Sequence, residues 1–259
     1  MKKLVIYFLN QMGICVGDIK DISPHSHHFI QISIGHQKGF NVLFKEKKIH
    51  THAMIISNDV EHQFTGLDAH QVIILIDPES IIGQELKSKV LGKKTFLNLD
   101  ANLRLLFRSV NAEEPLQVNE LQDILGKLFD HLIGYDQSQN KSENHIDPRV
   151  ANIQCLIKNE GIELNSTALA KAVFLSESRL MHLFKEEIGI SIKYFILWQK
   201  LLRAIHLMLN GKSFTIAAVN AGFSDSAHLS RTFRRMFGVT PSEVFKNSSS
   251  VQVIMENYD

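Results

Sequence analysis

The stretch IAAVNAGFSDSAHLSRTFRRMFGVTPSEV, residues 216–244, decides how the chain folds. It reads as a short helix, a tight turn and a longer helix, the form of a helix-turn-helix. Ala218 is small where two helices must cross closely, and Gly222 can take the positive φ that a tight turn needs. Ser224 stands where a helix N-cap is expected. Leu229, Phe233 and Phe237 recur at helical spacing and predict the buried face of the longer helix. Its other face carries Ala227, His228, Arg231, Arg234 and Arg235.

The same pattern occurs once more upstream. Ala168–Ser176, Arg179–Lys185 and Gly189 correspond to Ile216–Ser224, His228–Arg234 and Gly238, at an offset of 48 residues before the turn and 49 after it. The second copy therefore carries one inserted residue. Ala170 and Ser176 take the places of Ala218 and Ser224. Leu180, Leu183 and Phe184 predict the buried face, and Ser178, Arg179, Met181, His182 and Lys185 the exposed one. An all-helical core with solvated charges would give the apolar spacing too. It would not give a repeat, a turn glycine and a basic outer face together.

Charge follows the repeat. The chain has 259 residues and a formal net charge of +1, from 28 Lys+Arg against 27 Asp+Glu. Residues 148–247 hold 13 basic against 7 acidic side chains, whereas residues 1–147 hold 15 against 18. A basic part on an acidic body points to a nucleic-acid partner for that part only. A major groove about 12 Å wide admits one helix. Arg231 is the best direct reader, because a guanidinium pairs bidentately with guanine; His182 and His228 can bond base edges, and Met181 can touch a thymine methyl. Lys185, Arg234 and Arg235 suit phosphates, which set affinity and salt dependence.

Residues 148–247 resemble the DNA-binding domain of the AraC/XylS family of bacterial transcription regulators. The most specific residues are Gly222-Phe223-Ser224, Ser230-Arg231-Thr232-Phe233-Arg234-Arg235 and Phe237-Gly238-Val239-Thr240-Pro241-Ser242. The resemblance implies two helix-turn-helix units joined by a long helix at about 192–209, with recognition helices in successive major grooves. By position it implies that Ser178, Met181 and His182, then Ala227, His228 and Arg231, face bases, while Arg179, Lys185, Arg234 and Arg235 meet phosphates. It also implies promoter DNA and RNA polymerase as partners, an activator, a homodimer, and a cytoplasmic location on the nucleoid. Three features depart from the pattern. Phe174 stands where a Gly or small residue is frequent, so that turn is expected to differ. Ile192 replaces a frequent Pro. Ile196, Leu197 and Leu202 give the linking helix surplus apolar surface, to be covered by its own core, the N-terminal domain or a second subunit.

The overall fold class expected is α+β. Residues 1–99 read as a small β-sandwich or cupin-like barrel with a sensory role, from the runs Leu4–Leu9, Phe29–Ile34, Phe40–Phe44, Ala53–Ile56 and Gln71–Ile76. Gly13, Gly17, Gly35, Gly39 and Gly66 read as punctuation between them. Residues 100–135 turn helical. The stripe Leu121, Ile124, Leu125, Leu128, Phe129, Leu132 and Ile133 reads either as a core face or as a seam with a second copy, which makes this a dimerisation or relay segment. Polar residues 136–147 read as a linker, 148–247 as the all-α DNA-binding domain with two helix-turn-helix units, and 248–259 as a tail.

His25, His27 and His28, followed by Gln31 and later His62, resemble the reduced cupin of the family's regulatory half. A facial metal site wants a carboxylate, and the residue nearest that position is Gln31, a poor ligand. These side chains are therefore read as lining a cavity for a small-molecule effector. No metal, cofactor or catalytic residue is expected, and the chain is read as no enzyme. Two alternatives stand beside this: a metal-dependent cupin enzyme with an accessory DNA-binding domain, and a DNA-binding regulator with no ligand. Two cysteines, Cys15 and Cys155, cannot make a disulfide framework and fit a reducing compartment. The apolar run Leu4–Leu9 is shorter than the roughly 7–15 residues of a signal-peptide core, and no run approaches the ~18 of a membrane span.

Overall fold

The structure, a computed structural model, describes residues 4–9, 12–19, 21–67, 70–134, 146–159, 166–245 and 251–255. The segment read as a linker lies outside the described residues except for Ile146 and Asp147. The chain divides into two compact units, residues 1–137 with 233–259 and residues 138–232.

The first unit is built on two sheets. Its strands are β1 (Leu4–Leu9), β2 (Met12–Gly17), β3 (Asp21–His25), β4 (Ile30–Gly35), β5 (Phe40–Phe44), β6 (Lys47–Thr51), β7 (Ala53–Ile56), β8 (His62–Gly66), β9 (Gln71–Ile76), β10 (Phe96–Asn98) and β11 (Val251–Met255). The larger sheet has the order β10-β7-β4-β9-β2-β1-β11 and the smaller β3-β8-β5-β6. β4 and β9 lie next to each other inside the larger sheet, paired antiparallel, and are buried on both faces, β9 as the apolar run Val72–Ile76 and β4 with Gln31 and Ser33 buried among its isoleucines. One face, with Val5, Tyr7, Ile14, Ile32, Ile55 and Ile74, packs against helices. On the other face the pairing aligns Phe8, Gly13, Leu75, Gln31 and Ile56 in one row, and Ile6, Cys15, Ile73, Ser33 and Met54 in the next.

The helices covering the first face are α1 (Ile81–Glu85), running into a π-helical turn at Leu86–Leu91, a 3-10 segment at Ala101–Phe107, and α2 (Val118–Ile133). In α2 a Gln117–Glu120 capping bond and left-handed Gly134 fix the two ends. Leu121, Leu125, Leu128, Phe129 and Ile133 are buried, and Ile124 and Leu132 pack against the same core. The whole stripe is used inside the fold, which favours its core reading over a seam with a second copy.

Three expectations change here. Gly13 and Gly17, read as turn signals, lie within β2. The polar segments DISPH, KKIHT and HQFTG form β3, β6 and β8, whose alternation is too weak to see in sequence. Residues 251–255, read as part of a tail, form β11, paired parallel with β1.

The second unit is helical: α3 (Pro148–Asn159), α4 (Ser166–Ala172), α5 (Glu177–Ile188), α6 (Ile192–Leu209) and α7 (Phe214–Asn220). α8 (Ser226–Phe237) is divided between the units at Phe233, and α9 (Pro241–Phe245) belongs to the first. Ser176, Ser191 and Ser213 cap α5, α6 and α7, each accepting from the backbone N–H three residues on. Val150, Ile153, Leu169, Ala170, Leu180, Phe184, Ile192 and Phe195 share a core. Ile196 packs against that core, so part of the surplus apolar surface of α6 is absorbed within its own unit, and Leu202 is buried.

Candidate nucleic-acid interface

Two helix-turn-helix units follow each other, α4–α5 and α7–α8. Their turns are built alike. In the first, the Phe174 N–H donates to Lys171 O and the Leu175 N–H to Ala170 O; in the second, Gly222 donates to Val219 O and Phe223 to Ala218 O. Each pair stands 48 residues apart, as in the sequence repeat. Gly222 takes φ 82° there, and Phe174 takes φ 55° with 95% of its surface exposed. The first turn therefore keeps the left-handed conformation in spite of its residue. An L side chain in that conformation costs roughly 1–2 kcal/mol.

The inserted residue appears at the start of α8. Ser176 caps α5, but its counterpart in the second unit is Asp225, whose carboxylate accepts from the His228 N–H at 2.6 Å. Ser224, expected as the cap, instead contacts His228 Nδ1 at 3.1 Å. The N–H of His228 holds the Asp225 carboxyl below its usual range, with Arg231 adding to the effect. Glu177 anchors the first turn of α5 by accepting from the hydroxyls of Ser166 at 2.9 Å and Thr167 at 2.6 Å. Lys200 of α6 donates to Gly222 O at 3.0 Å and fixes the second turn. Gly189 and Gly238 end α5 and α8 at φ 87° and 78°. Beyond Gly238, Thr240 and Glu243 form a reciprocal capping box around Pro241 at the first position of α9.

Faces divide as the spacing requires. Leu180, Leu183 and Phe184 of α5 are buried, as are Leu229, Phe233 and Met236 of α8. Met236 does this where Phe237 was expected. Phe237 is half-buried and stacks on Phe29 of the β unit, centroids 5.6 Å apart, with its edge toward Phe8 at 6.0 Å. Ser178, Arg179, Met181, His182 and Lys185 are exposed on α5, and Ala227, Arg231, Arg234 and Arg235 on α8. His228 is half-buried, its ring edge-on to Phe223 at 5.3 Å. Its Nδ1 faces Ser224, which leaves Nε2 for another partner.

Residues 169–247 match the helix-turn-helix domain family. This part of the chain is an AraC-type helix-turn-helix domain. The Msm operon regulatory protein of Streptococcus mutans is 32% identical over 143 residues, 53% of this chain and 49% of that one. The arabinose operon regulatory protein of Escherichia coli is 40% identical over 78 residues, 29% of this chain and 26% of that one. These matches span about half and about a quarter of the two relatives' lengths. A solved structure of ToxT from Vibrio cholerae aligns with a TM-score of 0.47 at 16% identity, covering 91% of this chain and 98% of that one.

Beside its share of the AraC-type domain, the first unit contains a cavity of about 400 Å³. Ile6, Phe8, Ile73, Leu75 and Phe237 form apolar walls, and His25, Gln31, Arg234 and Glu243 are among its polar lining. Of the five side chains nominated for a ligand, His25 and Gln31 line this cavity. His27 and His62 are buried beside them: the His25, His27 and His62 rings stand 4.5–5.5 Å apart, centroid to centroid. His28 is not a member of this cluster; its backbone N–H donates to Arg235 O. Burial lowers the pKa of His25, His27 and His62, of His62 to about 3, so all three are neutral imidazoles at pH 7. Cys15 also lines the cavity, and burial pushes its thiol up to about 12, which removes the thiolate an oxidant sensor needs. No helix among the described residues is long and apolar enough to cross a membrane.

Proposed function

We propose that the chain is a sequence-specific, DNA-binding transcription regulator that places α5 and α8 in successive major grooves of promoter DNA. The observation that carries this is the doubled turn: two units with the same hydrogen bonds each hold out a polar, basic helix face. Ser178, Met181 and His182, with Ala227, His228 and Arg231, read bases; Arg179, Lys185, Arg234 and Arg235 hold phosphates. The cavity takes a small, mainly apolar effector with a polar group directed at His25 or Gln31. The effector acts by binding one conformation more tightly than another. A homodimer that activates through RNA polymerase in the cytoplasm completes the reading, and the named relatives, both operon regulatory proteins, support the regulatory part.

Genome-wide mapping of bound DNA followed by footprinting tests it. The expected result is protection over two adjacent major grooves on one face of an asymmetric site. Binding with steep salt dependence but no sequence preference would sink it.

A further inference from the structure

We propose that His25, His27 and His62 form a binding site for one divalent first-row transition ion, open to the cavity through His25 and Gln31. This does not depend on the DNA-binding reading. Its first support is how the rings are held. Each Nδ1 meets a backbone carbonyl: His25 that of Ser23 at 2.8 Å, His27 that of Phe29 at 2.9 Å and His62 that of Val60 at 2.9 Å. A carbonyl can only accept, so every Nδ1 carries the proton and every Nε2 a lone pair. A metal-binding histidine is set in this way, with its second nitrogen donating to an outer group that fixes tautomer and ring orientation.

The second support is convergence. One ring nitrogen from each histidine lies within 4.8 Å of the other two. Two imidazole nitrogens on one ion, at bond lengths of about 2.0–2.1 Å, stand roughly 3.3 Å apart, so modest side-chain rotation closes the set. The third is what these lone pairs lack. His62 Nε2 is buried, with the residue 1% exposed, and has no hydrogen-bond partner. His27 Nε2 faces Gln31 Oε1 at 2.9 Å, while the Gln31 amide N–H donates to Ser33 Oγ. With the Gln31 amide turned over, its N–H donates to His27 Nε2 and its oxygen accepts from Ser33, so the unmet buried acceptor of the cluster is His62 Nε2.

The donor set selects the ion. Three neutral imidazoles, with no carboxylate among them, suit Zn²⁺, Ni²⁺ or Co²⁺ and not Mg²⁺ or Ca²⁺. Three protein nitrogens leave a coordination position for water or a donor atom of a molecule in the cavity. The absence of an acid at Gln31 removes one negative charge from the site without removing any of the three nitrogens.

The test uses the full chain, free of any polyhistidine tag and stripped with chelator, titrated with Zn²⁺ by calorimetry and with Co²⁺ by visible absorption. One ion per chain is expected, with no response to Mg²⁺. His27→Ala and His62→Ala should each weaken Zn²⁺ binding by roughly 100-fold or more, while His50→Ala, altering an exposed histidine, should not. Gln31→Glu supplies the missing anionic donor and should tighten binding by about tenfold or more. That gain cannot come from misfolding, so it decides the matter if the alanine variants fail to fold. No stoichiometric binding, parental affinity in folded His27→Ala and His62→Ala, or unchanged affinity in Gln31→Glu would each overturn the site.

Discussion

Among single residues, Arg231 and Lys185 separate two kinds of contact with DNA. Both are exposed, on α8 and α5. Arg231 lies one helical turn beyond His228 and is the one guanidinium nominated for bases. Arg231→Ala should cost about 1–3 kcal/mol on the preferred site and relax preference at one base position. Lys185→Ala should weaken all sequences alike and reduce the slope of log K against log salt by about one. Competition binding at several salt concentrations distinguishes the two, and identical profiles would remove the assignment. Phe174 makes a different case. Its side chain is 95% exposed and its φ is 55°, so it contributes little packing and carries backbone strain. Phe174→Gly should therefore raise stability by about 1 kcal/mol, read as a higher denaturation midpoint. A loss of stability would mean that the ring has a packing role in the folded protein.

At the level of elements, the start of α8 is set by one carboxylate. Asp225 satisfies the His228 N–H at 2.6 Å, and Ser224 does not replace it. Asp225→Ala should cost about 1 kcal/mol of stability, whereas Ser224→Ala should cost less. Chemical denaturation of the two variants side by side checks this, and a larger loss for Ser224→Ala would contradict it. The repeat offset made this cap visible in principle, since 49 added to Ser176 gives Asp225 and not Ser224. The helices were legible because apolar spacing and serine caps agree, and α6 spans the expected 192–209. Strands β1, β4, β5, β7 and β9 were legible as short runs rich in β-branched and aromatic residues between turn signals. β3, β6 and β8 were not, because an edge or a wet face gives polar sequences that local pattern cannot separate from loops. The histidines were visible as a group, but not their common arrangement. The tautomer of each ring depends on the Ser23, Phe29 and Val60 carbonyls, and the meeting of β3 with β8 brings His25 opposite His62.

For the whole molecule, sequence distance and structural membership part company at the C-terminus. Residues 233–259 belong with the β unit, although the AraC-type match runs to residue 247. β11 is the reason at the far end. It pairs in parallel with β1 from Leu4↔Val251 to Phe8↔Met255 and stands at the edge of the larger sheet. Val5, Ile6, Tyr7, Phe8 and Leu9 of β1 are all buried. Removing residues 251–259 would leave β1 as an edge strand of continuous apolar sequence with one side of its backbone unpaired. Such an edge is a template for pairing with another chain. The truncated protein should unfold at a lower temperature than the full chain and show concentration-dependent association in light scattering. A Val253→Lys full-length variant separates the two effects. It keeps the backbone pairing while placing charge on the edge, so its association should remain that of the parent. If the truncated chain melts and sediments like the full one, β11 contributes nothing to the sheet, and the sequence reading of this segment as a tail would stand.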